Sequence, residues 1–352
     1  MIEFGWIPRR ADRRVAPLVI WGINYCELPY KVYFLVSPYL KESPLRETVH
    51  KSLVALNGYQ EVAEQGQADL VVTLLRPLRC DGKPHFTTNP EGRKNTLPDE
   101  AHDAPAEVWI LTPAERLLDD AFCASLDNEP KGLQRLQTNL TRYRQLRDLR
   151  GLVQESGKVG EIEIGLITYE RCDAPDCKPI KGGESYRYRR LPDALSLSAL
   201  EKKEKKWRVG DAISFEIHNA GRRERYVYLF NVSPEGQIQV IFPDDETPAS
   251  ARFKSDDRLS MDKPNFSGLR FSKDGAEEIL VLVTEQAINP FRLEQPSYER
   301  SKTRETSLRG YLNPLDKLLS DTLTGTRADK VNVSSGSWGS EWVRIEVQPA
   351  GP

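Results

Sequence analysis

The sequence predicts an α+β chain: an N-terminal mixed α/β unit, a helical bridge, and a C-terminal antiparallel β-sandwich with one helix. Three observations lead there. The first third alternates short apolar runs with a capped helix, as a βαβ unit does. Residues 131–150 then space their leucines three and four apart, the helical repeat. After Gly151 the apolar period drops to two and stays there. The implied boundaries are 1–125 for the α/β domain, 126–155 for the bridge and 156–350 for the sandwich domain. That division agrees with the two or three folding units that 352 residues suggest.

Within the α/β unit, Pro17–Ile23 and Lys31–Val36 are rich in the β-branched and aromatic residues that strands prefer. Ser43-Pro44 reads as an N-cap followed by proline at the first helical position. Leu45, Val49, Leu53 and Leu56 follow at helical spacing, and Gly58 is placed to end the helix. Asp69–Leu75 is the next strand. From Asp81 to Glu107 runs a loop rich in Gly, Pro and Asn that carries His85 and His102; a structureless stretch that long is functional or mobile. Val108–Leu111 resumes the sheet. Thr112-Pro113-Ala114-Glu115 has the form of a capping box, so a helix is expected there, with Leu117, Leu118, Ala121 and Phe122 inward. The bridge helix puts Leu133, Leu136, Leu140, Tyr143 and Leu146 on one face. Its outer face is expected to hold Arg135, Arg142, Arg144, Arg147 and Arg150.

In the sandwich, Ile162, Ile164 and Leu166 alternate with polar or small residues, as do Ile213, Phe215 and Ile217, and later Val343, Ile345 and Val347. Glu201–Lys206 is a solvated connector. Tyr226–Val232 is apolar on both sides, which suits a central strand, and Ser233–Gly236 turns it into Gln237–Phe242. Ile279–Thr284 is another strand, and Asn313–Leu323 the one expected helix.

Fifty basic against 52 acidic residues leave a net charge of −2, which argues against a chain that wraps nucleic acid or lies on an anionic membrane. No run approaches the roughly 20 apolar residues of a membrane span, and the charges of the N-terminal decapeptide follow its apolar patch rather than precede it. The expectation is a soluble, cytoplasmic chain. Five cysteines do not make a disulfide framework, and Cys172 and Cys177 lack the second ligand pair of a zinc site; reduced thiols in a surface loop are expected, with a redox-labile bridge as the alternative. Phosphate-cradling glycines and the nucleophile elbow are missing, and the four histidines form no metal set. Paired carboxylates (Asp119-Asp120, Asp244-Asp245, Asp256-Asp257) read as solvated surface. No catalytic, cofactor-binding or metal-ligating residue is therefore expected.

Two features are candidate partner-binding surfaces. Arginine suits bidentate contact with carboxylates, so the Arg135, Arg142 and Arg147 face could dock a protein; the alternatives are a solvated or internally paired face, or a nucleic-acid stripe through the Arg135–Arg150 helix. The aromatic hairpin of Tyr226, Tyr228, Phe230 and Phe242 is either core or a shallow groove for a peptide.

Trp207-Arg208-Val209-Gly210-Asp211, the hairpin Arg225-Tyr226-Val227-Tyr228-Leu229-Phe230-Asn231-Val232-Ser233-Pro234-Glu235-Gly236, and Ile241-Phe242-Pro243 together resemble a bacterial β-domain of unknown function. Its pattern is an initial Val-Gly-Asp strand, a Tyr-x-Tyr-Leu-Phe-Asn hairpin and a closing Phe-Pro. Pro314–Leu319, Gly325-Thr326-Arg327 and the strand after Trp338 resemble its end, while Asp244-Asp245-Glu246 departs from the usual asparagine. Such domains stand behind caspase-like peptidase domains, and Val108–Glu115 resembles the segment that bridges the two. The peptidase itself is not matched. No cysteine here follows Gln-Ala, and no histidine precedes glycine. The resemblance implies a non-catalytic protein-interaction module of a caspase-like protease pathway, an adaptor, inhibitor or substrate in stress response or antiviral defence. The loop with Arg93 and Lys94, and Arg300–Arg304, are the candidate cleavage sites. The rival expectation is an enzyme with a site near Cys80, His85 and His102.

Overall fold

In a computed structural model, residues 30–56, 58–88, 96–118, 122–127, 129–154, 156, 159–172, 178–179, 187–192, 195–197, 206–245, 247–262, 269–297, 313, 315–319 and 337–350 are described. The expected strand Pro17–Ile23, residues 173–177 with Cys177, Arg93, Lys94 and Arg300–Arg304 lie outside them.

The first region comprises β1 (Tyr30–Val36), α1 (Pro44–Val54), β2 (Tyr59–Glu61), β3 (Leu70–Leu75), the hairpin β4 (Arg79–Cys80) and β5 (Lys83–Pro84), β6 (Glu107–Leu111) and β7 (Cys123–Ser125). Its sheet runs β2-β1-β3-β6-β7, parallel among the first three and antiparallel beyond. The Ser43 hydroxyl caps α1 by accepting from the Leu45 amide, with Pro44 at the first helical position. α1 ends at Val54, before Gly58, which takes φ +80° in the turn into β2. A Cβ on Gly58 would be strained at that φ and would stand 2.0 Å from the Arg144 guanidinium, displacing it, so glycine is favoured between this turn and the bridge helix.

Alternation in β3 divides two cores. Leu70, Val72 and Leu74 pack with Val49 and Leu53 of α1 on one face, whereas Val71 and Leu75 join Trp109 and Leu111 on the other. The second face is covered by Phe86 and Leu97 from the segment between β5 and β6. The described parts of that segment are stitched down, not structureless as its composition suggested: Leu78 N–H donates to Asp99 O, His85 N–H to Leu78 O and Ala101 N–H to Arg76 O. A second expectation also fails. Thr112–Glu115 opens no helix. It forms a tight turn with Thr112 N–H on Arg116 O and Glu115 at φ +59°, which returns the chain to pair Leu118 N–H with Ile110 O. The capping residues serve the turn instead: the Thr112 hydroxyl accepts from the Arg116 amide, and Glu115 accepts from Gln65.

α2 (Glu129–Gln154) is followed by β8 (Ile162–Cys172), β9 (Lys178–Pro179), β10 (Arg187–Arg190), β11 (Leu195–Ser196), β12 (Trp207–Arg208), β13 (Ala212–Asn219), β14 (Arg225–Val232), β15 (Ile238–Phe242), β16 (Arg252–Phe253), β17 (Arg258–Ser260), β18 (Leu269–Arg270), β19 (Gly275–Thr284) and β20 (Trp338–Gln348). One sheet runs β17-β13-β8-β10-β9, with β11 on β8 and β18 on β13; the other runs β12-β20-β19-β14-β15, with β16 on β14. Their inner faces interleave Ile164, Leu166, Phe215 and Ile217 with Val227, Leu229, Val281 and Ile345. The chain is thus α+β, with a β-sandwich as its larger part.

The outer face of the β14-β19-β20 sheet is also apolar, and α2 covers it. Tyr228, Phe230, Leu280 and Leu282 meet Leu146, Leu149, Leu152 and Val153 of the helix, with Leu315 and Leu319 beside them. Residues 315–319 are helical, and the Asn313 side chain accepts from the Asp316 amide ahead of them; the rest of the expected Asn313–Leu323 helix is outside the described residues. The first half of α2 belongs to the other core, through Leu133, Leu136 and Leu140. At 100° per residue the two leucine stripes lie roughly 160° apart around the helix. α2 therefore runs between two cores that approach from nearly opposite sides.

Candidate functional site

That rotation decides where the arginines go. Positions 144 and 147 continue the first stripe, and positions 142 and 150 lie towards the second region. Arg147 stacks 3.5 Å from the ring centroid of Tyr30 and bonds Asp148. Arg144 is buried, paired with Asp148 at 3.3 Å, and fills the space beside Gly58. Tyr59 closes the same seam by donating from its hydroxyl to Leu140 O at 2.6 Å. Burial holds the Tyr30 and Tyr59 phenols well above the usual tyrosine range, so both remain neutral donors.

On the other side, Arg142 is buried and donates to Ser297 O at 2.9 Å. Arg150 reaches Glu278 of β19 at 2.6 Å and lies over the Trp342 ring, whose indole N–H donates to the same carboxylate oxygen at 2.9 Å. The outer face expected from helical spacing is corrected accordingly: Arg142, Arg144, Arg147 and Arg150 are internal fastenings of α2 to the two regions. Arg135 alone of the five is exposed, because it sits on the second side of the helix before the second core begins.

The aromatic hairpin needs the same correction. Tyr228 is 1% exposed under α2, its hydroxyl accepting from the Ile288 amide. Phe242 points into the sandwich and packs edge-on against Phe253, ring centroids 5.9 Å apart. Tyr226 is half-buried at the margin of the helix-covered core. These rings are packing, which leaves no aromatic groove on this hairpin.

The third candidate region disperses. Cys80 is exposed on β4. His85 bonds Asp99 at 2.6 Å, and the Thr87 hydroxyl, donating to the same carboxyl with His85, holds Asp99 below the usual carboxylate range. His102 sits edge-on to Tyr39, ring centroids 6.0 Å apart. What the sequence did not point to lies beneath: Glu107 on β6, 4% exposed, accepts from Arg79 at 2.6 Å, from the Trp109 indole at 2.8 Å and from the Cys123 thiol at 3.1 Å. Burial, and then the Glu107 carboxylate, push the Cys123 thiol up to about 12, so it persists as a thiol and an inert donor. The available signal was Glu107 on the edge of an apolar strand, two residues from Trp109.

Among the described residues no three His, Cys, Asp or Glu side chains stand together as a metal site, and no helix is long and apolar enough to cross a membrane. The paired carboxylates that are described have local duties: Asp245 caps the turn at Thr247 and Ser250, and Asp257 accepts from the Lys254 amide.

Residues 206–287 match the model of a domain of unknown function, DUF4384. The match begins at β12 and ends just beyond β19. It omits β8, the partner of β13, and β20, the strand between β12 and β19. No curated protein and no solved structure matches the chain. What the comparisons establish is a domain of the DUF4384 kind inside the sandwich region.

Proposed function

We propose that this chain is a non-catalytic protein–protein interaction module that works beside a caspase-like peptidase, as its adaptor, inhibitor or substrate. The observation that carries the reading is α2. Its buried leucines enter both cores, and four of its five arginines tie the α/β unit and the sandwich to it, which favours a chain that meets a partner as one body. Near the rival site, Glu107 accepts from three donors and His85 is bonded to Asp99, while Cys80 stands exposed on β4. Arg135, with the exposed Lys131 one turn before it, is the part of the arginine face left for a partner. The link to a peptidase rests on the resemblance of the β-domain to those carried behind caspase-like domains.

The test mixes the purified chain with the caspase-like peptidase encoded nearest to it. A stable complex with the peptidase inactivated at its nucleophile, weakened by Arg135→Glu, supports an adaptor or inhibitor. Cleavage by the active enzyme in 81–107 or 300–304 supports a substrate. Finding no complex and no cut at saturating peptidase would overturn the proposal.

A further inference from the structure

Two adjacent glutamates on β19 face opposite ways. Glu278 turns towards α2 and meets Arg150 and Trp342. Glu277 shares the phase of Ile279, Val281 and Val283, and so enters the interior of the sandwich, 3% exposed. Its neighbour across β20 is Ile345, flanked by Val343 and Val347. Among the described residues its polar contact is the side-chain amide of Asn231, which stands opposite Ile279 on β14, a diagonal step away.

Each partner has one oxygen left over. Glu277 Oε2 and Asn231 Oδ1 are buried without a hydrogen-bond partner. Two acceptors cannot satisfy each other, yet a single proton resolves both. With Oε2 protonated, its O–H donates to Asn231 Oδ1 while the Asn231 amide donates to Oε1, closing a ring of two hydrogen bonds. Ionised, the carboxylate leaves a charge and an unmatched carbonyl in an apolar interior, which is costly.

We propose that Glu277 and Asn231 form a neutral acid–amide pair in the sandwich, and that losing its one proton loosens this end of the β14-β19-β20 sheet, making the region pH-responsive. Among the described residues, burial and Asn231 are what act on the Glu277 carboxyl, with no charged group beside them. Arg344 and Glu346 pair with each other on the other face of β20. Glu235 pairs with Lys273 in the turns, Asp274 is exposed, and Asp211 accepts from the Arg208 amide. Arg270 alternates with Leu269, whose side chain takes the core side of β18. Burial raises the Glu277 carboxyl from 4.5 to about 7, and the Asn231 bond only partly offsets that. A group held above its unfolded value favours the folded chain fully below that unfolded value. The contribution is then lost as pH climbs through the folded value, here across pH 4.5 to about 7.

The experiment follows urea unfolding of the full chain from pH 4.5 to 8, beside Glu277→Gln. Glutamine keeps both hydrogen bonds without a titrating proton. The wild-type folding constant should fall relative to the variant, by about tenfold per pH unit inside the window. At pH 8, hydrogen exchange at Ser233–Gln237 and the start of β19 should quicken in wild type only, after correction for intrinsic rates. Parallel pH profiles for the two proteins overturn the proposal, and so does equal exchange. If Glu277→Gln does not fold, the ¹³C carboxyl shift of Glu277 in wild type decides: a midpoint near 7 sustains the pair, and an ordinary glutamate midpoint refutes it.

Discussion

Glu107 in the α/β sheet and Glu277 in the sandwich are both nearly inaccessible, and each lies on a strand among apolar neighbours. Glu107 meets a guanidinium, an indole and a thiol; Glu277 meets one amide. The first carboxylate is immobilised by donors that match its lone pairs. The second is short of donors by one proton. Burial alone therefore does not decide whether a carboxyl is fixed or titratable: the donors gathered around it do. The two regions differ in the same sense at larger scale. The α/β sheet has both faces closed, by helices on one side and by the segment between β5 and β6 on the other. The sandwich has one outer face that α2 must cover, and two of its inner strands lie outside the segment that matches a known domain.

The largest expected effect tests that dependence. A fragment of residues 206–287 lacks β8 and β20, so Ile213–Ile217 and Ile279–Val283 lose their neighbours on one side. It should show no cooperative unfolding transition by circular dichroism, whereas 129–350 should unfold cooperatively. A folded 206–287 would mean the flanking strands are accessory.

Next come the helix leucines. Leu149→Ala and Leu136→Ala each remove a side chain that is at most 2% exposed, from the second and first core respectively. Each should cost about 3–4 kcal/mol in denaturant unfolding. Because both act through one helix, both should shift the whole transition; a loss confined to probes of one region would separate the regions.

Smaller effects sharpen the contrast between the glutamates. Glu107→Gln leaves Arg79 without its carboxylate and should cost about 1–2 kcal/mol, since Arg79 is partly solvated and the indole keeps an acceptor. The same change removes one cause of the raised Cys123 thiol, so Cys123 should alkylate faster than in wild type, in which the exposed Cys80 reacts first. Equal rates for the two wild-type thiols would contradict the burial of Cys123. Gly58→Ala adds a methyl group at φ +80° against Arg144 and should cost about 1–2 kcal/mol.

Much of the secondary structure was legible because it rests on local patterns. β8, β13 and β20 each contain an alternating run, Ile162–Leu166, Ile213–Ile217 and Val343–Val347, and α1 has a serine cap and a proline start. The failures come from context beyond the local window. Thr112-Pro113-Ala114-Glu115 has the residues of a cap, but pairing with β6 recruited them for a turn. β10, with sequence Arg-Tyr-Arg-Arg, offers almost no apolar signal and pairs because β8 is long enough to hold it. The candidate site was least legible. Counting by three and four locates one face of a helix, whereas α2 changes its buried side along its length. Arginines that look solvated by spacing are thereby drawn between two cores. The tyrosines of β14 were ambiguous for a related reason: a central strand covered on both faces and an exposed aromatic ledge have the same composition.

The account stands on α2 being common property of the two regions. Differential scanning calorimetry of the full chain measures this most directly. One transition, moved as a unit by Leu149→Ala and by Leu136→Ala, is the predicted result. Two transitions, with each substitution shifting only one of them, would contradict it.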